Sequence, residues 1–301
     1  MTQQPDTIGT PRRILLATDL SARCDRALDR AVALARAWRA ELVVVHALDA
    51  QDVPASAGVN DLADLPSWQR GPEPARIVAE ALQHDLDGSP VPVISIVEPG
   101  DPVELILKAA EEHGCGLIVT AVARDEVLGR FLLGATVDRV LRRARVPVLV
   151  VRQRPRHPYG GIVVAADVSP ASRAALRTTA GFFPDTPFHV FHAFDPPLDG
   201  LLSDPQGYRT AFGELAARDL EAFLSQVGIP PRQVVDVLVE RGDPARLIQQ
   251  YVTAFRADLV VLGTEGKGAL LELLVGSTAK SVLDGLSCDA LVVPAAADSE
   301  D

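Results

Sequence analysis

The sequence repeats itself, and this repeat constrains the fold more than any other feature. The segment "VEPGDPVELIL" at residue 97 returns as "VERGDPARLI" at residue 239, which is 142 positions later. The strand-like "VPVLVV" at residue 146 returns as "CDALVV" at residue 288, again 142 positions later. Because domains commonly have about 100–200 residues, a repeat of this length predicts two copies of one domain.

We place domain 1 at residues 11–153 and domain 2 at residues 160–296. The segment "RQRPRHPYGG" (152–161) between them is rich in proline and arginine, and we interpret it as an exposed linker.

Within each copy, short apolar segments alternate with segments of helical spacing. In domain 1 the predicted strands are "RILLAT", "ELVVVHAL", "PVISIV", "GLIVTA" and "VPVLVV". Residues 22–39, 73–87 and 135–144 are predicted helices, and "PVELILKAAEEHG" is another. Apolar strands that alternate with helices indicate a parallel sheet covered on both faces. The predicted fold class is therefore α/β, with two tandem Rossmann-like, doubly wound domains, each a five-stranded parallel sheet with helices on both faces.

Glycines cluster in domain 2 where its fourth strand ends, with the spacing Gly263-x2-Gly266-x9-Gly276-Ser277. In doubly wound sheets ligands bind beyond the carboxyl ends of the strands, and this cluster lies on that edge. Gly266 and Gly268 permit a positive φ, so that successive N–H groups can face one anion. Gly276-Ser277-Thr278 opens a helix whose free N–H groups favour an anion as well.

Two N–H-rich turns that face one point suit a polyphosphate, and Lys267 could add a positive charge there. Ordinary tight turns at a strand end and a helix start explain the same glycines equally well. The spacing is neither the G-x4-G-K-[ST] phosphate loop nor G-x-G-x-x-G.

Several elements in this order resemble the universal stress protein family: a first strand followed by D-x-S, "GDP" before the third helix, the glycine stretch, and a terminal "ALVV" strand. The resemblance covers nearly the whole chain as two tandem copies. It implies that members with the glycine motif bind ATP, together with a divalent cation such as Mg²⁺. Here it places adenine and ribose near Ala165, Asp167 and Ala193. It places the phosphates along Gly263, Thr264, Glu265, Gly266, Lys267, Gly268, Gly276, Ser277 and Thr278.

Domain 1 departs from this motif. Ala121, Arg124 and Ala135 stand where domain 2 has Gly263, Gly266 and Ser277, and Gly134 alone is kept. Added Cβ atoms restrict φ and crowd a phosphate. We therefore expect one competent site per chain, in domain 2, and a structural or regulatory domain 1.

Composition limits the other possible functions. A net charge of −11 makes the chain a poor general binder of nucleic acid or of anionic membranes. The three cysteines, Cys24, Cys115 and Cys288, are far apart and indicate neither a disulfide framework nor a zinc site. The N-terminus lacks a signal pattern, and no apolar run reaches the length of a membrane span. We expect a soluble, cytoplasmic protein with reduced, buried thiols.

Other polar residues near the strand ends have simpler interpretations. Asp19 follows the first strand of domain 1 and is expected to lie at a helix N-terminus, whereas Asp167 shares an edge with the intact glycines. His189 and His192 are three apart on a strand and so face opposite sides, which argues against a metal pair. His46 and His192 occupy matching strand ends, where a satisfied imidazole is expected. No Gly-x-Ser-x-Gly or cysteine–histidine pair indicates acyl transfer.

The fifth strand of each copy is apolar and would lie at a sheet edge, where exposed strands find partners. The resemblance implies edge-to-edge pairing, so a tandem chain would form an intramolecular pseudo-dimer, and a further homodimer stays open. Three functions remain: a nucleotide-binding stress-response protein, a scaffold that binds no nucleotide or another small ligand, and a slow ATP hydrolase or a related transferase. The stress and the protein partner are unknown.

Overall fold

The structure is a computed structural model, and it describes residues 8–22, 24–48, 74–124, 131–197, 204–264 and 276–295. The strands of domain 1 are β1 (Arg13–Ala17), β2 (Glu41–Leu48), β3 (Val93–Pro99), β4 (Leu117–Ala121), β5 (Ala123–Arg124), β6 (Phe131–Leu132) and β7 (Val148–Val151). Its helices are α1 (Asp25–Trp38), α2 (Pro74–Leu86), α3 (Pro102–Glu112) and α4 (Ala135–Arg143).

Domain 2 repeats this order. Its strands are β8 (Ile162–Ala165), β9 (Phe188–Phe194), β10 (Val234–Arg241), β11 (Leu259–Gly263) and β12 (Asp289–Val293). Its helices are α5 (Pro170–Phe182), α6 (Pro205–Val227), α7 (Pro244–Phe255) and α8 (Ser277–Gly285). Among the described residues, no helix is both long and apolar enough to cross a membrane.

One ten-stranded sheet runs through both domains, in the order β10-β9-β8-β11-β12-β7-β4-β1-β2-β3. Neighbouring strands are parallel within each domain. The domains meet where β12 and β7 pair antiparallel, with Leu291 opposite Leu149. Each domain thus contributes a five-stranded parallel sheet in which the first strand lies between the second and the fourth. The predicted fold class is confirmed.

Helices cover both faces of this sheet, and each face has its own core. Helices α1, α2, α5 and α6 pack on one face, and α3, α4, α7 and α8 on the other. Side chains alternate along the strands, so that Ile14 faces the first core and Leu15 the second, and both are fully buried. Both cores include residues of both domains. The two repeats therefore share their apolar interior across the β7–β12 join.

The "GDP" elements have a structural explanation. Gly100 and Gly242 take a φ of 150° and 141°, where a residue with a Cβ would be strained. The Asp101 carboxylate accepts hydrogen bonds from two N–H groups in the first turn of α3, at 2.9 and 3.1 Å. Asp243 accepts one in the first turn of α7, at 2.8 Å. Proline follows each aspartate as the first helical residue, where it loses no helical hydrogen bond. The motif is a turn, a cap and a helix start.

The three thiols are free and buried, as predicted. Burial raises the pKa of the Cys115 thiol to about 11 and that of the Cys288 thiol to about 12. Both thiols therefore stay protonated at neutral pH and are poor nucleophiles.

The linker differs from the prediction, because it is not exposed throughout. The Arg152 and Tyr159 residues are 1% and 5% exposed, and both pack at the junction of the two domains. The proline and arginine content suggested an exposed segment, but hydrogen bonds from these two residues to domain 2 hold them inside.

Candidate functional site

The carboxyl ends of β8 and β11 form the ligand edge of domain 2. These strands are hydrogen-bonded neighbours, with Val164 opposite Val261. The chain continues from β8 to α5 on one face of the sheet and reaches α8 after β11 on the other face. This is the switch point of a doubly wound sheet, where a crevice forms because neighbouring connections diverge.

Two alanines with small side chains lie at this edge. Ala165 is the last residue of β8, and Ala193 is the second-last residue of the neighbouring β9. Both are partly buried and pack against the core beneath α7 and α8, so they are on the face where α8 begins. Methyl groups at these ends obstruct the crevice less than any larger side chain.

The Asp167 carboxylate is held in place by its own turn. Its Oδ1 accepts a hydrogen bond from the Ser172 hydroxyl at 2.6 Å and from the Ser169 N–H at 3.2 Å. Val168 between them has a φ of 59°, a region that β-branched residues rarely adopt. The Ser169 side chain caps α5 by accepting from the Ser172 N–H at 3.1 Å. Asp167 therefore lies at the ligand edge as part of a tight, hydrogen-bonded corner.

Domain 1 has the same corner after β1. The Asp19 Oδ1 accepts from the Ser21 N–H at 3.0 Å, and Leu20 takes a φ of 57°. The Cys24 thiol also donates to Asp19, at 3.0 Å. Since the corner recurs in the domain without the glycine motif, D-x-S shapes the turn after the first strand whether or not a ligand binds there.

Gly263 is explained by packing. A Cβ on this residue would lie 2.7 Å from the Ala171 Cβ and 2.8 Å from the Ala171 carbonyl carbon. Real side chains essentially never approach so closely, so the first turn of α5 needs a glycine at the end of β11. The resemblance places Gly263 along the phosphates, and the structure shows the helix backbone on the side where a Cβ would project.

The residues on either side of 265–275 are hydrogen-bonded to each other. The Gly276 N–H donates to the Thr264 carbonyl at 2.8 Å, and the Thr264 N–H donates to the Val293 carbonyl at 2.9 Å. This bond brings the end of β11 and the start of α8 together at the switch point. Together the two bonds use the N–H groups of Gly276 and Thr264, two residues that the resemblance places along the phosphates.

Helix α8 begins at a glycine. Gly276 is its N-cap residue, with a φ of −53° and a ψ of 147°, and no side chain of the described residues accepts a hydrogen bond there. The N–H groups of Ser277 and Thr278 follow in the first turn, where a helix offers them no internal acceptor. Thr278 is exposed. The other predicted phosphate contacts, Glu265, Gly266, Lys267 and Gly268, lie outside the described residues.

The histidines at the strand ends are satisfied, as predicted. The His192 Nδ1 donates to the Ala166 carbonyl at 2.7 Å, and the His46 Nδ1 donates to the Thr18 carbonyl at 3.0 Å. His189 instead contacts the Tyr251 hydroxyl, at 3.1 Å, on the face covered by α7. Within the described ranges, no group of three or more histidine, cysteine or carboxylate side chains could hold a metal ion.

The corresponding edge of domain 1 follows β4. Residues after β4 form a short hairpin that the sequence did not predict, in which β5 pairs antiparallel with β6. Arg124, in the place of Gly266, belongs to β5. Helix α4 starts as α8 does, because Gly134 is an N-cap residue with a φ of −67° and a ψ of 157°, and no side chain of the described residues caps it. The helix start is thus common to both domains.

The family model described as "Universal stress protein family" matches residues 10–152 and 158–294. The chain belongs to the universal stress protein family. Both halves match, so the repeat found in the sequence is a tandem pair of universal stress protein domains.

Among curated relatives, the chain is similar to "Universal stress protein E" of Escherichia coli K12. The two are 25% identical over 225 residues, which cover 67% of this chain and 68% of that protein. The chain is also similar to "Universal stress protein MJ0577" of Methanocaldococcus jannaschii, 25% identical over 155 residues, or 48% of this chain and 96% of that one.

Two solved structures share the whole fold. A functionally unknown protein from Pseudomonas aeruginosa PAO1 matches with a TM-score of 0.67 and 20% identity, covering 95% of this chain and 93% of its own. A universal stress protein from Archaeoglobus fulgidus DSM 4304 matches with a TM-score of 0.65 and 19% identity, covering 97% and 99%. At these identities the likeness shows the tandem α/β fold alone.

Proposed function

We propose that this universal stress protein binds ATP at one site, at the ligand edge of domain 2. The observation that carries the proposal is the 2.8 Å hydrogen bond from the Gly276 N–H to the Thr264 carbonyl. It fixes the start of α8 beside the end of β11, at the switch point where doubly wound sheets take their ligands.

The phosphates are assigned to the start of α8. The N–H groups of Ser277 and Thr278 point along the helix axis, and the positive end of the helix dipole favours a negative ligand. The amides of Thr264 and Gly276 are left out of this assignment, because both donate to carbonyls of the protein. The motif residues 265–268 would supply further donors.

The adenosine half is assigned to the ends of β8 and β9. Ala165 and Ala193 lie on the face where α8 begins, and in this assignment a planar base would lie against their methyl groups. Asp167, half buried at the end of the same crevice, is the carboxylate nearest to a ribose hydroxyl in this assignment. Its Oδ1 already accepts two hydrogen bonds, which favours a fixed acceptor over a proton-transferring group.

Mg²⁺ would enter with the nucleotide. Because the described residues form no cluster of metal ligands, most of its coordination would come from phosphate oxygens and water, which is common for Mg²⁺ on nucleotides. In this proposal the protein holds the nucleotide as a conformational signal in a stress response, and domain 1 holds none.

A proline substitution tests the phosphate assignment. Proline is tolerated at the first position of a helix, as Pro102, Pro170, Pro205 and Pro244 show in this chain. Ser277→Pro therefore removes one N–H with little cost to folding. A hydrogen bond to a charged group contributes about 1.5–3 kcal/mol, so we expect titration calorimetry with Mg-ATP to show about a tenfold loss of affinity or more.

The matched control is Ala135→Pro, at the first position of α4 in domain 1, which should leave the affinity unchanged. Ser277→Ala separates the hydroxyl from the N–H. Two results would contradict the proposal: no binding heat with the wild type, or equal ATP affinity of both proline variants. Either result would favour a scaffold protein that binds no nucleotide at this edge.

A further inference from the structure

A buried polar network lies where the two domains join. Its members are Arg30 of α1, Arg152 and Tyr159 of the linker, and Asp289 of β12, which are 6%, 1%, 5% and 1% exposed. We call these four residues the junction network. Burying charged groups is costly, so such a network must be well paired to persist.

The Asp289 carboxylate is the centre of the junction network. Its Oδ1 accepts from the backbone N–H groups of Arg152 and Gln153, at 2.8 and 3.0 Å. Its Oδ2 accepts from the Tyr159 hydroxyl at 2.6 Å and lies 3.4 Å from the Arg30 Nε. The Arg30 guanidinium in turn lies 3.9 Å from the centre of the Tyr159 ring. A strand of domain 2 is thereby joined to the linker and to a helix of domain 1.

The Arg152 side chain extends the junction network to α8. Its Nη2 donates to the Leu283 carbonyl at 2.8 Å, and its Nη1 lies 3.5 Å from the Leu286 carbonyl. These carbonyls belong to the last turn and the C-cap of α8, where a helix leaves acceptors unsatisfied and favours a positive charge. Arg152 therefore holds the end of α8 opposite to the proposed phosphate site.

Only one of the two matching helices has this anchor in the described structure. With the 142-residue offset, Pro294 of domain 2 corresponds to Arg152, and Pro147 of domain 1 corresponds to Asp289. A proline side chain supplies neither a hydrogen-bond donor nor a carboxylate. Helix α4 is instead tied to α3 by ion pairs at the surface, Arg139–Asp101 and Arg143–Glu104. The helix with the buried anchor is the one that follows the complete glycine motif.

Domain 1 also meets α8 at a second place. Strand β6, which follows β4 in domain 1, runs beside α8. Helix α8 therefore lies next to the linker at its C-terminal end and next to β6 of domain 1.

We propose that α8 couples the nucleotide site to domain 1 through Arg152, so that domain 1 responds to the ligand bound in domain 2. Arg152 is in this view a positioning residue. Helix α8 spans about 14 Å, at 1.5 Å for each of its nine residues. Fixing its far end lowers the ordering cost when phosphates bind the near end. Coupling is reciprocal, so the ligand must also stabilise the junction network.

The test compares two arginine substitutions in the linker. Arg152→Met removes the guanidinium and keeps apolar volume, while the Arg152 N–H to Asp289 remains. Arg154→Met is the matched control, because the Arg154 side chain is 73% exposed and pairs with Asp29 of α1 at 2.9 Å without contacting α8. Coupling between sites is commonly 5-fold to 150-fold, so we expect Arg152→Met to weaken Mg-ATP binding about 5-fold or more and Arg154→Met to leave it unchanged.

Hydrogen exchange supplies the second measurement. In the wild type and in Arg154→Met, saturating Mg-ATP should slow hydrogen exchange in α8, in residues 152–161 and in α1. In Arg152→Met, exchange should slow in domain 2 but not in α1. If Arg152→Met does not fold, Tyr159→Phe, which removes one donor to Asp289, should reduce the slowing in α1.

This inference depends on the proposed function, and the experiments distinguish a failure of nucleotide binding from a failure of the coupling. A wild type that binds no Mg-ATP overturns both. A wild type that binds Mg-ATP, with no change of exchange in α1 or with the same change in Arg152→Met, overturns the coupling and leaves the nucleotide site standing.

Discussion

Gly263 is required by the packing of the fold, and it is also part of the glycine motif proposed to bind the ligand. Helix α5 starts at Pro170, three residues earlier in the repeat than α1, and its extra first turn brings Ala171 against the end of β11. In domain 1 helix α1 begins only at Asp25, and Ala121 stands at the position that matches Gly263. The glycine is required by the helix, whatever binds beyond it.

Gly263→Ala should therefore destabilise the protein without any ligand present. The new Cβ would meet backbone atoms of Ala171 at 2.8 and 2.9 Å, so the helix must shift. Overpacking of this kind costs about 1–3 kcal/mol, and urea unfolding of the free protein would measure it.

Gly160→Ala is the control, because its Cβ would find only the Asp258 Oδ2, at 3.9 Å. Equal midpoints for both variants and the wild type would show that the close approach of α5 to β11 is absent.

At the level of the elements, matching helices begin in different ways. Helix α5 is capped by the Ser169 side chain. Helix α1 has Cys24 as its N-cap residue and no side-chain cap from the described residues, although Ser21 occupies the position that matches Ser169. The common D-x-S sequence therefore has two structural outcomes.

Ser169→Ala should cost about 1 kcal/mol of unfolding free energy, which is typical of a lost N-cap. Ser21→Ala should cost less than Ser169→Ala, because the Ser21 hydroxyl donates to the exposed Asp19 carboxylate instead of capping α1. Thermal unfolding followed by circular dichroism compares the two variants. A loss for Ser21→Ala as large as that for Ser169→Ala would contradict the assignment of the cap.

The sequence predicted most elements because they carry strong periodic signals. The apolar strands and the capped helices after "GDP" were confirmed, and so was the tandem arrangement. The β5–β6 hairpin was missed because strands of two residues have no periodicity to detect. The burial of Arg152 and Tyr159 was missed because it depends on Asp289, a contact 130 or more residues away in the chain.

The candidate site was predictable only in part for a similar reason. Its position at the strand ends follows from the fold class, and the start of α8 follows from Gly276 and Ser277. The use of the Thr264 and Gly276 N–H groups by protein carbonyls depends on the register between β11, β12 and α8, which local sequence does not encode.

At the level of the whole molecule, the chain is one sheet with unequal halves. The β7–β12 pairing hides one edge of each domain and leaves β3 and β10 as the outer strands. Both cores continue across the join, and the junction network closes it with buried charges. The domains share an architecture, but only domain 2 combines the complete glycine motif with an anchored α8. This difference between the domains fits the proposal that domain 2 binds the nucleotide and that domain 1 responds to the bound nucleotide.

The number of nucleotides bound per chain tests this account most directly. Equilibrium dialysis of the full chain against Mg-ATP should give one ATP per chain at saturation, because domain 1 has Ala121, Arg124 and Ala135 in the place of the motif. Ser277→Pro should lower the affinity of that single site. Saturation at two ATP per chain, or no bound ATP at all, would contradict the claim that domain 2 alone provides the site.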